Sequence, residues 1–230
     1  MLKGIIFDMD GVLINSEPVH YEIWKMTMKE RKVDLSYEIY KPCIGSTAGF
    51  LMNLLSEAYG VDKDDRKLME EHEAIKWKVM KERGYPLIEG VPELLGRLKQ
   101  AGYRLAIASS SPEPYIRDVV RSLELEPYFH VICSGESVRN PKPAPDIFLR
   151  TAKLLGLSPD ECIVVEDSTN GCRAAKAAGI CCVGYYNPDS GEQDLSTAEI
   201  IVEGYEEIDG GFMEKVYRRS RKEPVVIGET

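Results

Sequence analysis

The stretch Gly4–Ile14, GIIFDMDGVLI, decides the predicted fold. Its beginning, Lys3–Phe7, is a short apolar run typical of a buried strand in a parallel sheet. Asp8 and Asp10 follow directly, and Gly11 allows the chain to turn sharply after them. Ligands of open parallel sheets bind at the carboxyl ends of the strands. The stretch therefore predicts a polar site at the edge of a sheet.

The rest of the chain alternates short apolar runs with helical patterns. Four further runs predict strands: Arg104–Ala108, Val131–Cys133, Cys162–Val165 and Cys181–Val183. Three helical patterns end before a glycine, as helices often do: Pro92–Ala101, Pro145–Leu155 and Asn170–Ala178. This alternation is typical of α/β proteins. We therefore predict a Rossmann-like parallel sheet with helices on both faces.

A long helical segment interrupts the alternation after the first strand. Between about residues 15 and 85 the patterns are helical: Val19–Arg31, Thr47–Tyr59 and Lys63–Glu82. This segment is too long for one crossover, so we predict an inserted all-helical domain, with extra helices packed flat on the sheet as the alternative. The expected boundaries are 1–15 and 86–217 for the α/β core, 16–85 for the insertion and 218–230 for a C-terminal tail. We expect hinges near 15–18 and 84–89, and a solvated helix end at the basic run after Arg218.

Composition excludes several classes of partner. The chain has 29 Lys and Arg and 38 Asp and Glu residues, a net charge of −9 that disfavours nucleic acid. No apolar run approaches the roughly 18 residues that span a bilayer, and carboxylates interrupt the N-terminal apolar stretch, unlike a signal peptide. We expect a cytoplasmic protein without a membrane partner, either a monomer or a weak oligomer. Six cysteines without a CxxC pair predict buried thiols and no zinc site.

Polar side chains follow the predicted strands at their carboxyl ends. In chain order they are Asp8 and Asp10, then Ser109, Ser110 and Ser111, then Lys142, then Glu166 and Asp167. Carboxylate oxygens suit Mg²⁺, and a carboxylate can attack phosphorus to form an aspartyl phosphate. A metal ion and a lysine offset the repulsion between the two anions. One aspartate is then ionised at the metal, and the other supplies a proton to the leaving oxygen.

Each of these features has a simpler interpretation by itself. The two aspartates also suit a solvated loop, and Ser109 a helix cap. Lys142 suits an ordinary surface position, and the Glu166–Asp167 pair the N-terminus of a helix. Their combination after successive apolar runs favours a phosphoryl-transfer site.

The strand-end residues belong to four longer motifs: FDMDGVLINSE, IASSS, KPAPDIF and VVEDSTNGCRAAKAAG. In this order they resemble the four motifs of the haloacid dehalogenase (HAD) superfamily, and the resemblance reaches about Glu207. The chain is most similar to the subgroup of β-phosphoglucomutase and its phosphatase relatives. That subgroup carries a small helical cap after the first motif, which the inserted helices match.

The resemblance implies roles for the core residues. Asp8 would be the nucleophile and a metal ligand. Asp10 would be the general acid and base, with its backbone carbonyl on the metal. Ser109 would hydrogen-bond the transferring phosphoryl group, and Lys142 would neutralise it.

The same resemblance implies a wider set of ligands. Asp167 would be the acidic metal ligand of the last motif, with Glu166 beside it as a metal ligand or as a residue behind the metal. The backbone amides of Met9 and Asp10 would hold phosphate oxygens, with Ser110 beside the phosphate. His20 matches a histidine that positions the acid and base in the mutases; the alternative is a polar residue on a cap helix.

The cap departs from the mutase pattern. Gly45 is followed by Ser46, Thr47 and Ala48, where mutases carry an arginine for the second phosphate of a bisphosphate. An ungapped alignment places Glu73 at the position of the mutase's cap lysine, with Lys76 and Lys78 nearby. We therefore predict Mg²⁺-dependent hydrolysis of a small phosphorylated metabolite, a sugar phosphate, through an aspartyl phosphate. The alternative is a β-phosphoglucomutase-type mutase with the same intermediate.

Two non-enzymatic or signalling classes fit less well. A phospho-accepting receiver domain would be about half this length and would lack both the helical insertion and the Asp8–Asp10 spacing. A catalytically silent binding module is expected to have lost one of these aspartates.

Overall fold

The computed structural model describes residues 1–44 and 48–221. Its parallel strands form one six-stranded sheet in the order β3-β2-β1-β4-β5-β6. The strands are β1 (Gly4–Phe7), β2 (Arg104–Ser109), β3 (Phe129–Ser134), β4 (Cys162–Glu166), β5 (Cys181–Tyr185) and β6 (Ile200–Val202). The strand order reverses beside β1, which pairs with both β2 and β4. Ligands of doubly wound sheets bind at such a switch point.

Helices connect and surround the strands. They are α1 (Glu17–Lys29), α2 (Tyr37–Tyr40), α3 (Ala48–Tyr59), α4 (Arg66–Arg83), α5 (Val91–Gln100), α6 (Glu113–Ser122), α7 (Asp146–Leu154), α8 (Thr169–Ala177) and α9 (Gly210–Ser220). The three helices predicted to stop at a glycine, α5, α7 and α8, each end two residues before it.

Both faces of the sheet are buried. Successive strand residues point to opposite faces, so each strand contributes side chains to two cores. In β1, Ile5 and Phe7 belong to a core shared with α5, α6 and α9. Ile6 belongs to the opposite core, shared with α7 and α8. Helices therefore cover both faces, and the predicted Rossmann-like α/β fold is confirmed.

Helices α1–α4, the helical insertion, have a hydrophobic cluster of their own. Trp24, Met28, Leu55 and Leu68 are among its fully buried or nearly buried members. Other side chains of α1 and α4, including Ile23, join the core beneath the sheet. The insertion thus packs on itself and on the sheet domain.

Two hydrogen-bonded segments join the insertion to the sheet domain, and we call residues 13–15 and 86–88 the neck. The Asn15 N–H donates to the Pro86 carbonyl over 2.8 Å, and the Ile88 N–H donates to the Leu13 carbonyl over 3.0 Å. The outgoing and returning chains are therefore adjacent where the insertion begins and ends. Both predicted hinges overlap the neck.

The strand predictions need two corrections. Strand β3 begins at Phe129 rather than Val131, and β6 was not predicted. Strand β6 is a run of three apolar residues between Glu199 and Glu203, and each of the three is partly or largely exposed. At the C-terminus, α9 continues through Arg218 and Arg219, so the predicted tail starts inside a helix. Residues 222–230 lie outside the described residues.

No described helix is both long enough and apolar enough to cross a membrane. All six cysteines are buried.

Candidate active site

The strand ends bring the predicted residues to one edge of the sheet. Asp8 follows β1, Ser109 ends β2 and Glu166 ends β4. These three strands are parallel neighbours in register, so their carboxyl ends lie side by side. Strand order alone thus brings these three site residues together.

Lys142 is buried between two carboxylates. Its Nζ donates to Asp8 Oδ1 and to Glu166 Oε1, each over 2.7 Å, and to the Ala108 carbonyl over 3.2 Å. Only 7% of the side chain is exposed, which rules out the surface-lysine interpretation. Burial disfavours the ammonium, but Asp8 and Glu166 outweigh it and raise the pKa of Lys142. The lysine is a fixed positive charge beside Asp8.

Three carboxylates form a cluster suited to a hard cation. Asp8, Glu166 and Asp167 each offer an oxygen within 4.8 Å of the others. Burial, opposed by Lys142 and reinforced by Glu166, raises the pKa of Asp8 to about 7. Burial and the charges of Glu166 and Asp8 raise the pKa of Asp167 well above its ordinary value. One ammonium cannot offset three buried carboxylates, and an all-oxygen donor set fits Mg²⁺.

Asp10 has different surroundings from Asp8. Ser16 Oγ donates to its Oδ1 over 2.7 Å, and Ser111 Oγ donates to its Oδ2 over 2.8 Å. Ser109 Oγ lies 3.5 Å from the same Oδ2. Hydroxyl groups rather than a lysine thus surround Asp10. The two aspartates are therefore equipped for different tasks.

The turn after β1 requires glycine at position 11. Gly11 has a φ of +81°, and a Cβ there would lie 1.9 Å from Asp167 Oδ2. The Met9 carbonyl accepts hydrogen bonds from Val12, Leu13 and Ile14 within this turn. Among the described residues, the Met9 and Asp10 N–H groups donate to no other group, which leaves them available to a ligand. The Met9 side chain is fully buried, so only its backbone is available.

The sequence allowed two simpler interpretations, Ser109 as a helix cap and Glu166–Asp167 as the N-terminus of a helix, and the structure treats them differently. Ser109 is the last residue of β2, and Pro112 rather than Ser109 precedes α6, so Ser109 is not a helix cap. Its Oγ accepts from the Ser111 N–H over 3.1 Å. Glu166, by contrast, does accept hydrogen bonds from the Ser168 N–H and hydroxyl before α8, in addition to the bond from Lys142.

A cavity of about 750 Å³ lies between the helical insertion and the sheet edge. Every predicted site residue except Met9 lines it: Asp8, Asp10, His20, Ser109, Ser110, Lys142, Glu166 and Asp167. The opposite wall is formed by the insertion, which contributes Glu17, Tyr40, His72, Glu73 and Lys76 among others. The structure therefore brings the predicted residues together around one space.

His20 lies at this cavity, not on an outer face of the insertion. Its Nε2 is buried and has no hydrogen-bond partner within residues 1–44 and 48–221. Burial lowers the pKa of His20 to about 4, and the charge of Lys76 lowers it further while that of Asp10 opposes the shift. The ring is therefore neutral near pH 7.

Several lining residues were missed or misplaced by the sequence analysis. Tyr40 Oη donates to Glu17 Oε2 over 3.1 Å, and burial raises the pKa of Glu17 to about 7, aided by the charge of Asp10. The ungapped alignment placed Glu73 at the position of the mutase's cap lysine, with Lys76 and Lys78 nearby, and the structure has both Glu73 and Lys76 on the cavity wall. The spacing of His72 and Lys76, four residues apart on one helix, could have shown that these two side chains share a face. Of the predicted difference from the mutases at residues 45–48, residues 45–47 lie outside the described residues, and Ala48, which stands three residues after Gly45, is the first residue of α3.

Comparison with known proteins identifies the family. Residues 5–185 match the model of the haloacid dehalogenase-like hydrolases. The chain belongs to this family. A phosphorylated carbohydrates phosphatase of Thermotoga maritima is 32% identical over 78% of this chain and 82% of its own. The phosphoglycolate phosphatase of Escherichia coli is 30% identical over 90% of this chain and 91% of its own.

A solved structure is similar to this chain in both fold and sequence. CbbY from Rhodobacter sphaeroides, crystallised in complex with phosphate, superposes on this chain with a TM-score of 0.78. The two are 27% identical, over 90% of this chain and 96% of the CbbY chain. The resemblance to the HAD superfamily is confirmed, and these relatives support the prediction of a phosphatase-type hydrolase.

Proposed function

We propose that the chain is a Mg²⁺-dependent phosphatase that hydrolyses a small sugar phosphate through an aspartyl phosphate on Asp8. The observation that carries the proposal is the position of Lys142, whose ammonium contacts both Asp8 and Glu166 at 2.7 Å. A carboxylate beside a fixed cation and further acidic groups suits attack on an anionic phosphoryl group, because positioning and charge stabilisation dominate this reaction.

In the first step a carboxylate oxygen of Asp8 bonds to phosphorus while the bond from phosphorus to the leaving oxygen breaks. Asp10 gives its proton to that oxygen. Water then attacks phosphorus, Asp10 takes the proton of the water, and inorganic phosphate leaves as the Asp8 carboxylate is restored. The hydroxyls of Ser16 and Ser111 hold the Asp10 carboxyl group in place for both proton transfers.

The remaining residues bind the ion and the phosphoryl oxygens. We assign Mg²⁺ to the side chains of Asp8 and Asp167 and the backbone carbonyl of Asp10, with Glu166 as a further ligand or as the residue that orients Lys142. Bound there, the ion would supply positive charge against the developing negative charge of the phosphoryl group. The N–H groups of Met9 and Asp10, with Ser109 and Ser110, would bind the phosphoryl oxygens. His20 would hold Asp10 or the leaving group as a neutral hydrogen-bonding ring.

The insertion supports a cap role. It forms one wall of the cavity and has its own hydrophobic cluster, so we propose the division into a core of residues 1–15 and 86–217, a cap of residues 16–85 and a tail of residues 218–230. The cap wall offers the hydrogen-bonding groups Glu17, His72 and Lys76 to the part of the substrate beyond its phosphate. Such groups suit the hydroxyls of a sugar. A cytoplasmic location and a monomeric or weakly associated state stay predictions.

Hydrolysis is preferred to mutase chemistry. The Thermotoga maritima and Escherichia coli relatives are both phosphatases by name. If β-glucose 1-phosphate with a trace of the bisphosphate gave glucose 6-phosphate without free phosphate, the preference would be reversed.

The decisive experiment measures phosphate release from a panel of phosphorylated sugars and phosphoglycolate. We expect release with Mg²⁺, its loss on chelation, and its loss in Asp8→Asn. The exposed Asp64→Asn is the matched control and should behave as wild type. Turnover by Asp8→Asn would exclude the covalent route, and release unaffected by chelation would exclude the metal.

A further inference from the structure

The Lys76 side chain extends from the helical insertion onto an aromatic ring of the sheet domain. Lys76 lies on α4, and its Nζ is 4.1 Å from the centre of the Tyr115 ring on α6. Both residues are buried, with Tyr115 only 2% exposed. An ammonium over a tyrosine face is attracted by the ring's electron density, and the attraction is larger where water is excluded. This contact therefore links the two parts of the molecule.

The Tyr115 ring is itself held firmly. The Trp77 ring meets it edge-on with centroids 6.1 Å apart, and the Tyr85 ring does so at 5.7 Å. The Tyr115 hydroxyl has no hydrogen-bond partner among the described residues. The ring face, rather than the hydroxyl, is thus what Tyr115 offers to its neighbours.

The Lys76 ammonium keeps its donors for the cavity. Glu73 Oε1 lies 4.0 Å from Nζ, too far for a hydrogen bond, and the Glu73 side chain is about half exposed at 48%. Lys76 donates no hydrogen bond to any residue in the described part of the chain, although it lines the cavity. A buried ammonium needs compensation, and the Tyr115 ring supplies part of it without using an N–H group.

We propose that Tyr115 is a positioning residue that seats the Lys76 ammonium at the cavity wall, where this ammonium binds a substrate oxygen remote from the transferred phosphoryl group. The proposal rests on the proposed function for the identity of the substrate, but the seating of Lys76 is independent of it. The sequence gives no hint of this contact, because 39 residues and the packing of α4 on α6 separate the two side chains.

The first test needs no substrate. Lysines are acylated with acetic anhydride, and the rate at each site is measured by mass spectrometry. In wild type and Tyr115→Phe we expect Lys76 to be protected, because phenylalanine keeps the ring face. In Tyr115→Leu we expect Lys76 to react at least tenfold faster. A factor of this size corresponds to the loss of a buried cation–π contact. Exposed Lys67 sets the reference rate, and continued protection of buried Lys142 shows that the fold is intact.

The second test separates positioning from a structural role. For a sugar phosphate hydrolysed by wild type, we expect Tyr115→Leu and Lys76→Met to raise KM by similar factors of about tenfold, with the double variant no worse than either, because both remove the same contact. Tyr115→Phe should retain the wild-type KM. Tyr128→Leu removes a ring from a cation–π contact with Lys99 elsewhere, and it should leave KM unchanged.

The outcomes distinguish the two proposals. Continued protection of Lys76 in Tyr115→Leu, or additive effects on KM, would overturn the seating of Lys76 by Tyr115. If wild type releases no phosphate from any substrate, the proposed function fails, and acylation still decides whether Tyr115 seats Lys76.

Discussion

Asp8 and Asp10 are two residues apart in one turn, yet their surroundings differ as a nucleophile and an acid require. Asp8 contacts an ammonium and lies beside two other carboxylates. Asp10 accepts hydrogen bonds from two hydroxyls. Environment rather than residue type separates the two carboxylates, as in other pairs that divide acid and nucleophilic roles.

The buried His72 makes the free energy of unfolding depend on pH. Burial, followed by the charges of Lys76 and His20, lowers its pKa to about 3 from 6.5. The unfolded chain binds a proton near pH 6.5, but the folded chain binds it only near pH 3. The stability contributed by neutral His72 is therefore fully present above pH 6.5 and is lost as pH falls toward 3.

We expect His72→Leu to weaken this pH dependence. Between pH 7.5 and pH 5 the free energy of unfolding of wild type should fall by about 2 kcal/mol more than that of the variant. Urea denaturation of both proteins in the presence of a chelator measures this difference. Asp8 and Glu17, whose raised pKa values make stability change with pH in the opposite direction, are present in both proteins, so their contributions cancel. Equal changes in the two proteins would show that folding leaves the pKa of His72 unchanged.

At the scale of secondary structure, the junction between β4 and α8 leaves no room at Gly171. A Cβ at Gly171 would lie 1.6 Å from Glu166 Oε1, so any side chain there must displace the carboxylate that contacts Lys142. Alanine normally stabilises a helix interior relative to glycine by about 1 kcal/mol. Here that gain competes with displacement of a site residue.

Two glycine substitutions in helices should therefore have different effects. Gly171→Ala is expected to lower phosphate release strongly, with melting temperature unchanged or lower. Gly96→Ala in α5, where no atom outside the local helix backbone lies within 4 Å of the added Cβ, should raise stability by about 1 kcal/mol and leave release unchanged. Phosphate assays and thermal unfolding of both variants provide the measurements. Full activity in Gly171→Ala would show that the Glu166 position is not required.

The inner strands and the strand-end residues were predictable, because a buried parallel strand is a continuous apolar run and its end lies at a common edge. Strand β6 was missed, although Ile200–Val202 is an apolar run; the run has only three residues and carboxylates on both sides. Helix α6 was also not predicted, although its apolar residues Tyr115, Ile116, Val119 and Val120 have the spacing of an amphipathic helix. The cavity wall from the insertion was least predictable, because Glu17 and Lys76 reach the site only through the packing of α1 and α4.

At the scale of the whole molecule, the insertion contacts the sheet domain at separate places. Trp77 packs edge-on against Tyr115. Elsewhere, Lys41 Nζ lies 2.9 Å from Glu192 Oε1, an exposed ion pair that water and salt screen. Ile23, Val79 and Met80 of the insertion also join the core of the sheet domain. The chain passes between the two parts at the neck, and we expect the insertion to open and close about it to exclude water during the reaction.

Trp77 provides a measurement of this movement. In Trp24→Phe, Trp77 is the remaining tryptophan, and 39% of it is exposed in the structure. We expect acrylamide to quench its fluorescence less after Mg²⁺ and beryllium trifluoride are added, because they favour the closed state, in which Trp77 keeps its contact with Tyr115, over open states that break it. Trp77→Phe retains only the buried Trp24 and should show no change. Identical quenching of Trp77 before and after addition would mean that the insertion stays fixed.

The neck has a consequence for how such chains diversify. Asn15 and Pro86 are joined by a hydrogen bond of 2.8 Å, so the chain leaves and re-enters the sheet domain at almost the same point. A segment of different length or sequence fits between two such points without stretching β1 or α5. Exchange of residues 16–85 for the corresponding helices of a relative would then transfer substrate preference as one module, while the residues at the strand ends stay untouched.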